Sequence, residues 1–246
     1  MKLKTSLALV LGATLMIGVF AGCGSEQAPK KDTIKFAAET TYPPFEFADG
    51  DKYQGFDVDL ANAIGKETGK KVEFESMGFD ALIPALQSGQ IDAIASGMVI
   101  TKERLEKIDF SDPYYPVNLI MVVKKDNNTV NGEADIAGKT VAAQIGTTGA
   151  FLAKEKPGTT VKEFDTIPNM LQDLENGNVE IVMLDEPIAK YFIQVGNMAN
   201  LKIVPVGLQS HQLGIGVAKN NPELTKEINA ALKKMKDNGE YKKLED

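Results

Sequence analysis

From residue 33 onward, short apolar runs alternate with stretches in which apolar side chains recur every three or four positions. "TIKFAAE" (33–39) predicts a strand. "FDVDLANAIGKETG" places Phe56, Leu60 and Ile64 at helical spacing and stops at Gly69, which predicts a helix. "KVEFES" alternates as a strand, "FDALIPALQSG" predicts a short helix closed by Gly89, and "IDAIAS" a further strand. The rhythm repeats with "KTVAAQ" (strand), "TGAFLAKEK" (helix), "VKEF" (strand), "PNMLQDLENG" (helix), "VEIVML" (strand) and "PIAKYFIQVG" (helix). Strands separated by helices imply parallel βαβ sheets.

Two segments match within this series. "LIPALQSGQIDAIASG" (Leu82–Gly97) lies on "MLQDLENGNVEIVMLD" (Met170–Asp185) at an offset of 88 residues. Both read as a helix, a glycine cap and a buried strand, in equivalent places of two similar series. The pattern favours two lobes of like topology over one continuous sheet. Ser96 and Gly97 end one strand, and Leu184 and Asp185 end its counterpart. Ligands of open α/β sheets bind outside the carboxyl ends of strands. If the lobes face each other, Gly97 and Asp185 approach one ligand from opposite sides.

The chain has 246 residues, 43% of them hydrophobic, and a net charge of −7. That size allows one large or two modest domains. The acidic balance, with no block of Lys and Arg among aromatics, argues against a nucleic-acid surface. The N-terminus departs from the rest. Two lysines precede an uncharged apolar run from Leu7 to Phe20, then Ala21-Gly22-Cys23. This is the pattern of a signal peptide over residues 1–22, with an apolar run too short to span a membrane comfortably. Its removal takes away Lys2 and Lys4, leaving 25 basic against 34 acidic residues, a balance of −9. Cys23 is the only cysteine, so an intramolecular disulfide is excluded. The segment resembles a bacterial lipobox, which implies lipidation of Cys23, although Phe20 departs from the usual aliphatic residue. The alternative is a secreted protein with an unpaired cysteine. Residues 24–32 are polar and unpatterned and read as a tether.

Catalytic chemistry has little to work with. The single histidine, His211, has no nucleophile motif nearby and reads as solvent-facing or structural. Zinc sites need several His or Cys ligands. Asp57 and Asp59 look paired, but a solvated helix N-terminus explains them better. "IGTTG" (Ile145–Gly149) precedes a helix and can bind an anion through backbone N–H groups. It lacks the lysine and spacing of a nucleotide-binding loop. No catalytic residue, metal or cofactor is expected.

The stretch "ETTYPPFEF…GFDVDLANAIG…FDALIPALQSGQIDAIASGMVITKERLEKIDFSDPYY" resembles the first lobe of the periplasmic polar-amino-acid-binding proteins of ABC importers. It is nearest to the arginine, lysine and histidine binders. "GKTVAAQIGTTGAF…VEIVMLDEPIAKYF…LGIGVAKNNPEL" resembles the second lobe and return. The resemblance implies a two-lobed α/β fold of the periplasmic-binding-protein type (type II), each lobe a mostly parallel sheet flanked by helices. Residues 33–113 plus 214–246 would form lobe 1, 119–208 lobe 2, and 114–118 and 209–213 two hinge strands.

Site residues follow from the same resemblance. Arg104 matches the arginine that takes the ligand α-carboxylate, for which a guanidinium is geometrically suited. Backbone N–H groups near Val99 and Thr148 would add donors. Asp185 matches the acid that takes the α-ammonium, helped by the Gly97 carbonyl, with Ser96 and Gln144 beside them. Tyr42 and Phe79 match aromatics that sandwich an aliphatic stem or planar cation. Glu39 meets the side-chain tip, and a buried acid there favours Arg, Lys or ornithine over an uncharged ligand, with glutamine second. Val99 stands where relatives commonly carry Ser, Thr or Asp. The bland alternatives are a surface Arg104 paired with Glu103 or Glu106, Asp185 as a helix N-cap before Pro187, Glu39 as an exposed strand-end acid, and core aromatics. The ending "YKKLED" lacks the aromatic-containing tail of many relatives.

The resemblance implies a monomeric binding protein, held outside the cell membrane by a lipid on Cys23, that delivers a free L-amino acid to an ABC permease. An enzyme on the same scaffold, dehydratase-like, would need a general acid in the cleft, for which Glu39 is the evident candidate. A partner of a receptor in trans is a third class.

Overall fold

The computed structural model describes residues 31–204 and 207–245. The leader, Cys23 and most of the tether lie outside them. Strand β1 (Thr33–Ala38) leads through β2 (Thr41–Tyr42), β3 (Glu46–Asp49) and β4 (Lys52–Gln54) into α1 (Phe56–Thr68), β5 (Lys71–Ser76), α2 (Phe79–Ser88) and β6 (Ala93–Ile94). The short helix α3 (Lys102–Leu105) and β7 (Asp109–Phe110) follow. The long strand β8 (Tyr115–Lys124) passes to a second group: β9 (Thr140–Gln144), α4 (Thr148–Glu155), β10 (Thr160–Phe164), α5 (Ile167–Asn176), β11 (Ile181–Asp185), α6 (Glu186–Gln194), β12 (Leu201–Ile203) and β13 (Gln209–Leu213). Strand β14 (Gly216–Val217), α7 (Pro222–Asn238) and α8 (Glu240–Glu245) return to the first group.

These elements make two sheets and thereby two α/β lobes. The first has the order β5-β1-β6-β14-β7, the second β10-β9-β11-β8-β12 with β13 also on β8. In each, the strands joined by helices pair in parallel, β1 with β5 and β6, and β9 with β10 and β11. The strands nearest the chain crossings join antiparallel, β14 on β6 and β8 on β11. The chain passes between sheets at 111–114 and 214–215. The crossings hold each other, with Tyr114 N–H donating to Leu213 O (2.9 Å) and Ser111 N–H to Ile215 O (2.9 Å). Residues 209–213 pair antiparallel with 115–119, from Gln209 opposite Leu119 to Leu213 opposite Tyr115.

The repeat is reproduced down to its hydrogen bonds. Gly89 closes α2 in the left-handed region (φ 77°, ψ 15°) and Gly177 closes α5 likewise (φ 77°, ψ 16°). Their N–H groups reach Ala85 and Leu86 in one case and Asp173 and Leu174 in the other, the same offset of 88. Glycine adopts this conformation without the steric cost of a Cβ.

Two features were not anticipated. The antiparallel meander β2-β3-β4 consists of strands too short to show a period, yet it carries Tyr42 and Glu46 to the cleft. Helix α7 buries Leu224, Ile228, Ala231, Leu232 and Met235 along one face, with the Asn221 side chain capping its start. Burying such side chains contributes about 1.5–3 kcal/mol for each large one. The "YKKLED" ending gains a reason here. Tyr241 on α8 is buried, meets Phe56 edge-on, and donates its hydroxyl to the Tyr114 carbonyl.

Candidate functional site

Helix α1 places its two acids on different faces. Asp57 and Asp59 are two residues apart, roughly 200° around the helix axis. Asp59 is exposed, whereas Asp57 is fully buried and accepts Gly97 N–H (2.8 Å) and the Tyr114 hydroxyl (2.7 Å). The expectation of a solvated pair therefore holds for Asp59 and fails for Asp57.

The cleft between the two sheets gathers every expected ligand-binding residue. Glu39, Tyr42, Phe79, Ser96, Gly97, Val99, Arg104, Gln144, Thr148 and Asp185 line one small cavity, with Glu46 and Thr147 in addition. In this arrangement the groups enclose about 30 Å³, room for about two waters.

Arg104 lies on α3, which Thr101 caps through its hydroxyl. Its guanidinium donates to the Val99 carbonyl (2.7 Å) in its own lobe and to the Gly146 carbonyl (3.1 Å) across the cleft. Phe79 stacks against it at 5.2 Å. The residue is buried, and among the described residues it forms no ion pair with Glu103 or Glu106, so the surface-arginine alternative is set aside. Burial lowers its pKa to about 10, against the charge of Asp185, so it stays cationic at neutral pH. Val99 contributes its carbonyl to Arg104.

Asp185 ends β11 at the start of α6, but its side chain caps nothing there. One oxygen accepts the Tyr42 hydroxyl and the other, Oδ1, is buried without a donor. Burial raises its pKa to about 6, while the Tyr42 bond and the Arg104 charge pull the other way. Tyr42 also packs on Gly97, whose φ is +48° and where a Cβ would come within 2.6 Å of the ring. Gly97 and Asp185, equivalent in the repeat, thus face each other through one tyrosine.

Glu39 is 6% exposed, which overturns the exposed strand-end alternative. Across the cleft the Gln144 amide donates to it (2.9 Å), and Thr41 donates from its own lobe (3.0 Å). Burial raises its pKa against both bonds. The N-terminus of α4 supplies Thr147 and Thr148 to the same cavity, where backbone N–H groups favour an anion. Glu46 was missed. Its one signal is a charge wedged between Phe45 and Phe47. Burial pushes it well above the ordinary carboxylate range, so Glu39 is not the sole acid able to hold a proton here.

His211 lies outside this set. It is half-buried on β13 and borders an adjoining cavity of about 840 Å³ with Ile83, Met98, Ile100, Phe151 and Leu152, which shares Phe79, Arg104 and Thr148 with the first. Burial lowers its pKa, so it is neutral at neutral pH. Among the described residues no group of His, Cys, Asp and Glu is arranged to hold a metal ion, and no helix is long and apolar enough to cross a membrane.

Known proteins resemble this chain in sequence and in fold. The arginine-binding extracellular protein ArtP of Bacillus subtilis is 33% identical over 250 residues, covering 98% of this chain and 96% of that one. An ancestral arginine-binding protein, solved bound to arginine, superposes with a TM-score of 0.84 at 42% identity, covering 87% of this chain and 96% of that one. An ancestral arginine-binding protein bound to glutamine gives a TM-score of 0.83, with the same identity and coverage. The model of one family, the bacterial extracellular solute-binding proteins, family 3, matches residues 34–246. The chain therefore belongs to the bacterial extracellular solute-binding proteins of family 3.

Proposed function

We propose that this protein is the substrate-binding subunit of an ABC importer and that it captures a free basic L-amino acid, arginine foremost. One observation carries the reading. A buried guanidinium, Arg104, and a buried carboxylate, Asp185, come from opposite sheets into one cleft without an ion pair between them among the described residues. Such a pair is complementary to an α-carboxylate and an α-ammonium together. Each charge-assisted bond contributes roughly 1.5–3 kcal/mol. The α4 N-terminus adds donors for the carboxylate, and the Gly97 carbonyl an acceptor for the ammonium.

Glu39 selects the side chain. Its carboxylate is held by an amide and a hydroxyl, so a guanidinium or ammonium gains a charged partner where an uncharged tip gains only a neutral one. Relatives named for arginine support this choice. Glutamine is the second candidate, since an ancestral arginine-binding protein was solved with it. Ligand entry requires the lobes to separate, and closure over it creates the surface a permease recognises. Cys23 carries the lipid that holds a monomer at the outer face of the membrane. The protein binds and releases its ligand without turnover.

The test is thermal unfolding of a soluble form lacking residues 1–23, stripped of ligand and scanned against Arg, Lys, ornithine, His, Gln and Glu. Ligand at about a thousand times its dissociation constant stabilises by roughly 4 kcal/mol, a rise of about 8–16 °C for a chain of this size. Arg is expected to give the largest shift, and Arg104→Ala to abolish it. A shift with Gln alone overturns the role of Glu39. No shift with any amino acid overturns the function.

A further inference from the structure

Two buried carboxyl groups, Glu46 in the lining of the cavity and Asp57 outside that lining, have no ligand contact assigned to them. Glu46 on β3 is 1% exposed and Asp57 on α1 is 0% exposed. Each has one oxygen occupied. Glu46 Oε1 accepts the Ser96 hydroxyl (3.0 Å), while Asp57 Oδ2 accepts Gly97 N–H and the Tyr114 hydroxyl. The remaining oxygens, Glu46 Oε2 and Asp57 Oδ1, are both buried and neither meets an N–H or O–H of another residue. The two carboxyl groups are held by consecutive residues, Ser96 and Gly97, so they lie side by side at the same strand end. Two ionised carboxylates so placed are strongly disfavoured. A single proton between the orphan oxygens satisfies both.

The neighbours decide where that proton resides. Asp57 is surrounded by donors, an N–H and a phenol, which favour its ionised form. Glu46 receives only the Ser96 hydroxyl, so it is the better proton carrier. Ser96 in turn accepts Glu39 N–H (2.9 Å). A continuous path results, from Glu39 through Ser96, Glu46 and Asp57 to Tyr114 at the chain crossing. We propose that Glu46 and Asp57 share one proton as a carboxyl pair that fixes the Ser96–Gly97 strand end against the ligand. Both are positioning residues, because they act through Ser96 and Gly97. The role in ligand binding rests on the function proposed above, whereas the proton sharing does not.

The groups bearing on the pair are Glu39, Tyr42, Tyr114 and Tyr241, none of them cationic. The Glu46 pKa is raised well above its ordinary value, by burial first and by the Asp57 charge second. The folded state therefore holds a proton that the unfolded chain releases above the ordinary carboxylate range. Stability from this group is full below about pH 4 and declines as pH rises.

The experiment compares wild type, Glu46→Gln and Asp57→Asn. Unfolding is followed from about pH 5 to about pH 8 without amino acid, and arginine binding is measured over the same range by calorimetry. Glutamine at 46 keeps an acceptor for Ser96 and a donor for Asp57. The Glu46→Gln protein is expected to show a shallower decline in stability with pH, keeping only the part that Asp185 and Glu39 contribute, and to weaken arginine binding only a few-fold. Asparagine at 57 cannot accept from three donors, and a loss of about tenfold or more is expected. An equal pH slope in Glu46→Gln and wild type overturns the shared proton. Equal binding by the two variants overturns the positioning role. If both variants fail to fold, the infrared carbonyl band of a protonated carboxyl in wild type at about pH 8 decides, and its absence overturns the pair. Should no amino acid bind wild type, the proposed function fails while slope and band still read the pair.

Discussion

Helix α2 with β6 and helix α5 with β11 have one backbone plan and two chemistries. Both helices close on a left-handed glycine with the same hydrogen bonds, and both strands run to the cleft between one parallel and one antiparallel neighbour. Where the first strand ends, Ser96-Gly97 offers backbone groups and a small hydroxyl. Where the second ends, Leu184-Asp185 offers a buried carboxylate. A polar ligand needs a close backbone on one side and a charge on the other, and Tyr42 fits between only because Gly97 has no side chain. The scaffold repeats; the strand ends do not.

The comparison breaks most severely at Asp185. Its replacement by Asn removes the charge for the ammonium and leaves Arg104 in the cleft without a counter-charge. Arginine affinity is expected to fall by about tenfold to a hundredfold in calorimetry, from the loss of one charge-assisted bond. The pH profile sharpens the assignment. Binding a cation needs ionised Asp185, whose pKa is about 6. Wild-type affinity should therefore fall as pH drops below about 6, while Asp185→Asn shows no fall from this group. An unaltered profile would remove Asp185 from the binding role.

A smaller effect is expected at the partner position. Gly97→Ala forces a Cβ to within 2.6 Å of Tyr42 and places a side chain at φ +48°. The conformation alone costs about 1–2 kcal/mol. Displacement of Tyr42 from Asp185 should weaken arginine binding more than it lowers the unfolding midpoint. The smallest test treats the repeat as a repeat. Gly89→Ala and Gly177→Ala meet open space or the tip of Lys124, so only the left-handed backbone is penalised. Each should lower stability by about 1–2 kcal/mol, about 2–8 °C in midpoint, and by the same amount. Unequal losses would mean that the two lobes support their caps differently.

Most of the scaffold was legible. The helices at residues 56–69, 79–89 and 168–177 announce themselves by apolar spacing and terminal glycines, and the offset of 88 between Leu82–Gly97 and Met170–Asp185 foretells two lobes and two facing strand ends. Helix α7 was equally legible in Leu224, Ile228, Leu232 and Met235, though it was not anticipated. Arg104, Asp185 and Glu39 were picked out by motif, and all three line the one cavity.

Tertiary structure decided the rest, because local pattern cannot say which polar groups lose their water. Asp57 and Asp59 are alike in sequence, yet packing against Gly97 and Tyr114 buries one and leaves the other in solvent. Glu46 becomes a proton carrier only because a meander of short strands lays it beside Asp57. Arg104 finds the Gly146 carbonyl, and Glu39 the Gln144 amide, only across the cleft between sheets. The sequence by itself determined the elements, the repeat and the residue types at the strand ends. Charge states and cross-cleft partners arise from desolvation and long-range approach, which exist only once the two sheets have formed.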